Sequence, residues 1–465
     1  MKKVFFCSVF LSFLAVIHLS ARNFSVNRKG IATYSIVNKA SGQCLTVTSE
    51  GKIATSATPA AWRLSSLDSL LFYLDYVSAE STHHSRLRAT SYLPMSLTTN
   101  GLEGRNNDVQ WSFVPATENG DWGYLVHKSS GRYLSAKGTA VSVVEFSADN
   151  DQLKWKMDLQ KVNLNELESP IILMGDDQAG FRDPLLIYEG GYFYIYYSYV
   201  LTEEQEKIYW YVAMSKSRDL VYWTDPVILT EKDQSKNFAS PGSIVRYKGD
   251  WVMCMQTYSM PNYTRKDPIR YGDANCRLWV MRSKDLEHWG APEMLEMDGP
   301  GVKTTRMIDA CILKDKDDPD KWWCFYVPVG AGAGYAWSRD LKEWHPYGRT
   351  RAGENTCVWS EGDTYYMMHS PHDGMGILQS KDLKNWTVFT EPDNLGKKDW
   401  PWASRRVTAG FVLDLRKDKR VGKYVMVFHG QGPSPQSTEI INSGTDLGIA
   451  WSDDLKTWEW PGKNR

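Results

Sequence analysis

The chain has 465 residues, 54 Lys and Arg against 55 Asp and Glu, and a formal net charge of −1. That length holds two or three domains with a large core, and the near-zero charge excludes bulk electrostatic attraction to nucleic acid or anionic membrane. The 20 Trp and 25 Tyr suit β-strands and the interfaces between sheets, and such residues also stack on sugars.

Residues 1–21 open with Met-Lys-Lys, continue through VFFCSVFLSFLAVIHL and end in Ser20 and Ala21. A basic start, a short apolar run and small residues at a cleavage site predict a secretory signal peptide, hence a secreted or periplasmic protein. Cys7 lies inside the apolar run, not at its end where a lipidated cysteine would sit. No later apolar run approaches 18 residues, so no membrane span is expected. Cys44, Cys254, Cys276, Cys311, Cys324 and Cys357 remain. Their spacing matches no metal-ligand pattern, and no metal site is predicted. They read first as small buried apolar residues, with a cross-strand pair of Cys311 and Cys324 as the alternative that export would permit.

Residues 30–160 repeat a strand and a Gly- or Ser-containing turn three times, in YSIVNKASGQCLTV, LFYLDYVSAESTHHSRLRAT and GYLVHKSSGRYLSA. Each copy closes on a tryptophan, Trp62, Trp111 or Trp155, in apolar–polar alternation that predicts a core side chain. Three copies of a four-strand unit predict a β-trefoil-like domain. The segment resembles the ricin-type lectin domains, whose repeats end in a Gln-x-Trp-like motif. This chain keeps the Trp without the Gln, which leaves carbohydrate binding by the domain open.

Residues 158–172 read as a linker, and 170–465 carry a second rhythm. SRDLVYW (217–223), SKDLEHW (283–289), SRDLKEW (338–344), SKDLKNW (380–386) and SDDLKTW (452–458) all fit Ser-x-Asp-Leu-x-x-Trp. Their starts lie 66, 55, 42 and 72 residues apart. Each interval is long enough for one four-stranded sheet, so the pattern predicts an all-β fold with a five-bladed β-propeller. The motif itself reads as scaffold: Ser and Asp suit a turn while Leu and Trp pack beneath it. The blades open with DPLLIYEGGYFYIYYS (183–198), SPGSIVRYKGDWVMCMQTY (240–258), IDACILKDKDDPDKWWCFYV (308–327), ENTCVWSEGDTYYMMHS (354–370) and AGFVLDLRKDKRVGKYVMVFHG (409–430).

The innermost strands of a propeller converge on a central channel, so residues that open them meet in space. Three openings carry an acid at what read as matching offsets: Asp183, Asp309 and Glu354. Glycoside hydrolysis needs one protonated carboxyl and one ionised carboxyl, and crowding raises the pKa of one member of such a group. Arg182 and Arg306 flank these acids; each reads as an ion-pair partner or as a ligand for substrate hydroxyls or a substrate carboxylate. His369 and His372 fit either a core position or a mouth loop.

On Phe181-Arg182-Asp183-Pro184, Met307-Ile308-Asp309-Ala310 and Gly353-Glu354-Asn355, the region 170–465 resembles the family 43 glycoside hydrolases and related five-bladed propeller glycosidases. The resemblance implies Asp183 as general base, Asp309 as pKa modulator and Glu354 as general acid of an inverting enzyme. It also places His429 near the substrate or a central ion, so that a structural calcium ion in the channel is the one cofactor to consider. Ala310 replaces the usual Pro, and blade II lacks the usual Trp-Ala-Pro-Asp stretch. The expectation is a monomeric secreted hydrolase of plant- or algal-type poly- or oligosaccharides, of arabinofuranosidase, xylosidase or galactosidase type, with no nucleic-acid partner. The alternatives are a retaining enzyme like the family 32 and 68 fructan hydrolases, a family 117-like enzyme, and a non-catalytic carbohydrate-binding protein.

Overall fold

A computed structural model describes residues 24–66, 71–77, 85–90, 94–98, 107–117, 121–297, 306–329, 332–371, 374–391, 395–396, 398–432 and 444–463. The leader at 1–21 and His372 lie outside the described residues. The chain divides into two compact units, Met1–Val162 with Val221–Asp225, and Asn163–Leu220 with Pro226–Arg465. Among the described residues all regular structure is β, apart from single 3-10 turns.

The first unit contains β1 (Ala32–Asn38), β2 (Cys44–Val47), β3 (Ile53–Ser56), β4 (Ala61–Ser66), β5 (Phe72–Val77), β6 (Ser85–Arg88), β7 (Ser96–Thr98), β8 (Gln110–Pro115), β9 (Trp122–His127), β10 (Tyr133–Lys137), β11 (Ala140–Val144) and β12 (Lys154–Val162). Six of them pair in a closed ring, β1–β4–β5–β8–β9–β12 and back to β1. The other six form the hairpins β2–β3, β6–β7 and β10–β11. Trp62, Trp111 and Trp155 are fully buried. Their indole N–H groups donate to the carbonyls of Leu45, Leu87 and Leu134 at 2.9, 3.1 and 2.9 Å. Each tryptophan thus fills core and satisfies a carbonyl that would otherwise be bare and buried.

The second unit is a five-bladed β-propeller. Its first strand, β13 (Ile171–Leu173), does not belong to blade I. Blade I is β14 (Ala179–Glu189), β15 (Tyr192–Thr202), β16 (Ile208–Ser217) and β17 (Val227–Ile228). Blade II is β18 (Phe238–Tyr247), β19 (Asp250–Thr257), β20 (Leu278–Ser283) and β21 (Glu293–Met294). A short strand β22 (Glu296–Met297) runs parallel to the outer strand of blade III, which is β23 (Met307–Lys314), β24 (Trp322–Pro328), β25 (Gly334–Ser338) and β26 (Glu343–Arg349). Blade IV is β27 (Glu354–Glu361), β28 (Thr364–Ser370), β29 (Gly376–Ser380) and β30 (Thr387–Thr390). Blade V is β31 (Arg406–Asp414), β32 (Tyr424–Gln431), β33 (Thr445–Ser452) and β34 (Trp458–Glu459), and β13 adds to β33 there. The last sheet therefore takes a strand from each end of the unit. The innermost strands β14, β18, β23, β27 and β31 pack in series, with β31 against β14.

The five Ser-x-Asp-Leu-x-x-Trp copies are turns of one geometry. In each, the Ser hydroxyl donates to the Asp two residues on at 3.1 Å. In the copies of blades II to V the Asp carboxylate accepts two backbone N–H groups further along the turn, as Asp340 does from Lys342 and Glu343 at 2.8 and 3.0 Å. Leu220, Leu286, Leu341, Leu383 and Leu455 all adopt left-handed backbone, φ 60 to 69°, and all are buried. A leucine pays for that conformation because its side chain fills the blade base. The motif is scaffold.

Cys311 lies opposite Phe325, and Cys324 lies opposite Ile312. Adjacent residues of a strand point to opposite faces, so Cys311 and Cys324 do not pair. All six described cysteines are buried thiols.

Candidate active site

Each innermost strand is broken near its start by a bulge, between Arg182 and Leu185, Ala239 and Ser243, Ile308 and Cys311, Glu354 and Cys357, and Thr408 and Phe411. One residue in each bulge is left-handed: Asp183 (φ 48°), Ser240 (46°), Asp309 (57°), Asn355 (53°) and Ala409 (58°). These five are equivalent stations, and all five line the channel. Asp183 and Asp309 therefore correspond to one another. Glu354 does not: it stands one residue earlier, at the position of Arg182, Ala239, Ile308 and Thr408. The offsets that read as matching differ by one residue, because the strand before each bulge is too short for its phase to be read from hydrophobicity.

A bulge leaves its amide without a ladder partner, and each station amide is capped from the preceding blade. Asp183 N–H donates to Nδ1 of His429 at 3.0 Å, Ser240 N–H to Oγ of Ser198 at 2.8 Å, and Ala409 N–H to Oγ of Ser370 at 3.0 Å. Asp309 N–H donates to Oε1 of Gln256. His429, Ser198, Ser370 and Gln256 hold one register position in the second strands. In blade III that position is Val327, which cannot accept a hydrogen bond. There the Asp309 carboxylate takes over, accepting Asn355 N–H at 3.1 Å.

The carboxyls differ in surroundings. Asp183 is 7% exposed, and its Oδ2 accepts the hydroxyls of Ser198 and Ser240, both at 2.9 Å. Burial pushes its pKa up, but His429, Arg182 and the two hydroxyls outweigh that and hold it below the usual value. His429 is itself pushed down to about 3 by burial and by Arg182. A neutral imidazole agrees with Nδ1 accepting the Asp183 amide, so near neutral pH the arginine and the serines keep Asp183 ionised. Asp309 is also 7% exposed, and burial, with Glu354 and Asp183 nearby, pushes it up to about 8. At neutral pH Asp309 holds a proton. The Glu354 side chain is 42% exposed and accepts a hydrogen bond from Nη2 of Arg406 at 3.2 Å.

Arg182 is buried with its guanidinium carbon 5.3 Å from the centre of the Trp210 ring, which stacks on Tyr258 at 5.3 Å and 8°. Arg306 stands near enough to Asp309 and Tyr258 to oppose, in small part, the upward shift that burial imposes on both. Asp183, Asp309, Glu354, Arg182, Arg306 and His429 thus share one neighbourhood. His429 enters it as a support for the Asp183 backbone, 2% exposed. His369 is a core residue whose Nδ1 accepts Gly353 N–H at 2.9 Å.

Sequence reasoning missed Arg406, Asn355, Ser198, Ser240 and Gln256. Asn355 spans the channel floor: its Nδ2 lies 3.5 Å from Oδ1 of Asp183, and its Oδ1 accepts the Thr408 hydroxyl at 3.3 Å. One signal was present. Arg406 precedes station Ala409 by three residues, as Arg306 precedes Asp309. No described group of three His, Cys, Asp or Glu side chains converges as metal ligands.

No family model matches the chain, and no curated protein matches it. Solved structures similar to it include the catalytic domain of the Coprinopsis cinerea family 62 α-L-arabinofuranosidase, at 11% identity over 60% of this chain and 93% of that one, TM-score 0.44. The Cellvibrio cellulosa α-L-arabinanase is 15% identical over 59% and 92%, TM-score 0.42. An exo-1,5-α-L-arabinanase from a bovine ruminal metagenomic library is 16% identical over 61% and 98%, TM-score 0.41. What the site does is read from its own residues.

Proposed function

We propose that the propeller is a glycoside hydrolase that cleaves glycosidic bonds of plant- or algal-type poly- or oligosaccharides with inversion. The observation that carries this is three carboxyls brought together in different surroundings: Asp183 buried on two hydroxyls beside Arg182, Asp309 buried and pushed up by burial and the other two acids, and Glu354 partly exposed on Arg406. Environments that push carboxyl pKa values apart are what acid–base division of labour requires. Asp183 is the base. Its Oδ2 is fixed by two hydroxyls, and it takes a proton from the water that attacks the anomeric carbon. Glu354 is the acid, protonating the departing oxygen as the glycosidic bond breaks. One C–O bond forms and one breaks; bulk solvent resets both protons.

To deliver a proton, Glu354 must leave its ion pair with Arg406. Asp309, protonated beside it, keeps a proton within the site and holds the Asn355 amide. We read the first unit, with its six-stranded ring, three hairpins and three equivalent tryptophans, as a β-trefoil. Export, from the leader at residues 1–21, belongs to the same proposal.

The test is a panel of nitrophenyl glycosides and plant and algal polysaccharides, with proton NMR of the first-formed anomer. Inverted product is expected, with Asp183→Asn and Glu354→Gln each losing at least about 10³-fold in kcat. Retained configuration would reject the mechanism, and absence of turnover across the panel would reject the hydrolase.

A further inference from the structure

Among the described residues three guanidiniums, of Arg182, Arg306 and Arg406, stand near the carboxyls of Asp183, Asp309 and Glu354. Arg182 lies beside Asp183, with Arg406 and Glu354 close enough to bias its ionisation. Arg406 reaches Glu354 through Nη2 alone. Arg306 makes no salt bridge or hydrogen bond to any described residue, and the Nε of both Arg306 and Arg406 is buried without a partner. Arg306 and Arg406 occupy one position in blades III and V, each two residues before the residue that flanks a station. Residues two apart in a strand project to the same face, so the two arginines are presented alike from either side of blade IV.

Among the described residues, and with Asp309 protonated, Arg182, Arg306 and Arg406 face the negative charges of Asp183 and Glu354. Burial and the neighbouring Arg406 hold the Arg182 guanidinium below its usual pKa, which marks cations crowded together out of water. Buried charge without a partner is costly, and donors left unmade are costlier than donors used. A neutral sugar fills some of these donors but leaves the excess charge in place. An anion that offers two oxygens side by side fills both, because a guanidinium binds a carboxylate or sulfate through two parallel hydrogen bonds.

We propose that the sugar bound at this mouth carries an anionic group, a uronic acid carboxylate or a sulfate ester, seated on Arg306 and Arg406 with Arg182 behind them. The inference rests on the glycosidase reading and narrows it. It also gives Arg406 a second role: an anion that takes its guanidinium frees the Glu354 carboxyl from that contact to face the departing oxygen. Neutral analogues leave the Arg406–Glu354 pair closed.

The test compares matched nitrophenyl pairs: galactoside with galacturonide, glucoside with glucuronide, and galactoside with its 6-sulfate. The anionic member of at least one pair is expected to show kcat/KM roughly 10- to 100-fold higher, the range of one or two charge-assisted hydrogen bonds. The uronide and sulfate arms show which anion it is. Arg306→Gln is expected to shrink that ratio toward one, while Arg306→Lys, which keeps the charge, preserves most of it. Calorimetric titration with free galacturonate, glucuronate and galactose 6-sulfate against galactose and glucose reads the same preference without turnover. Equal or better use of the neutral members overturns the inference and leaves the hydrolase standing. No turnover with anion-selective binding overturns the hydrolase, and no turnover without such selectivity overturns both.

Discussion

Asp309→Asn separates the proton on Asp309 from the fold around it. The carboxyl is 7% exposed and holds its proton up to about pH 8, where an unfolded aspartate loses it near 4. Folding therefore binds a proton within that window. Below about pH 4 both states are protonated and stability is unaffected; between 4 and 8 it falls as pH rises; above 8 it levels off. At about 1.4 kcal/mol per unit, the loss over the window is on the order of 5 kcal/mol. Asparagine is neutral throughout and close in shape. It keeps an oxygen for the Asn355 amide and tolerates the φ of 57° better than other residues do. In urea titrations the variant should match wild type near pH 4 and gain on it by roughly 3 to 4 kcal/mol from pH 5 to 8. Its activity should fall even as its stability rises, since the site loses its resident proton. A stability difference that stays constant from pH 5 to 8 would refute the protonated Asp309, and the acid–base assignment with it.

Ser338→Ala in the blade III turn should cost about 1 to 2 kcal/mol, because its Oγ accepts the buried Leu341 amide at 3.0 Å; kcat/KM should not move, and a kinetic effect would contradict the scaffold role. Trp111→Phe should destabilise the first unit by about 1 to 3 kcal/mol by stripping the Leu87 carbonyl of its donor, as chemical denaturation would show. His429→Ala should leave the Asp183 amide uncapped and lower kcat more than it raises KM; a pure KM effect would instead mark His429 as a substrate contact. The six described thiols, all buried, should react with a maleimide only after unfolding, and native labelling of Cys357 would show the channel floor open to solvent.

The blade count was legible because Ser-x-Asp-Leu-x-x-Trp serves one turn geometry five times, and that geometry needs those residue types. The openings Asp183 and Asp309 were legible as acids ahead of apolar strands. What the sequence hid is phase. Glu354 sits one residue off the Asp183 station, and nothing in GENTCVW announces the bulge at Asn355. Nor is the capping of one blade by another visible in a local window: His429 and Asp183 are 246 residues apart. Arg406 was hidden for another reason, since it lies before the apolar run by which blade V was recognised. Strand β13 lay in a stretch read as linker, because a three-residue edge strand carries too short a pattern to register.

The ring of capped stations bears on how the propeller comes apart. A stacked solenoid can lose an end repeat and keep the rest, since each unit touches only its neighbours. Here every blade supplies the acceptor for the next blade's left-handed residue, and the last supplies it for the first through His429. Remove any one and its successor keeps a strained backbone and a bare amide in the channel wall. An assembly of two, three or four blades thus always carries a defect at its open edge. The closed circle should therefore form and dissolve as one cooperative event, and should survive new chain ends cut into an outer hairpin far better than the deletion of a blade.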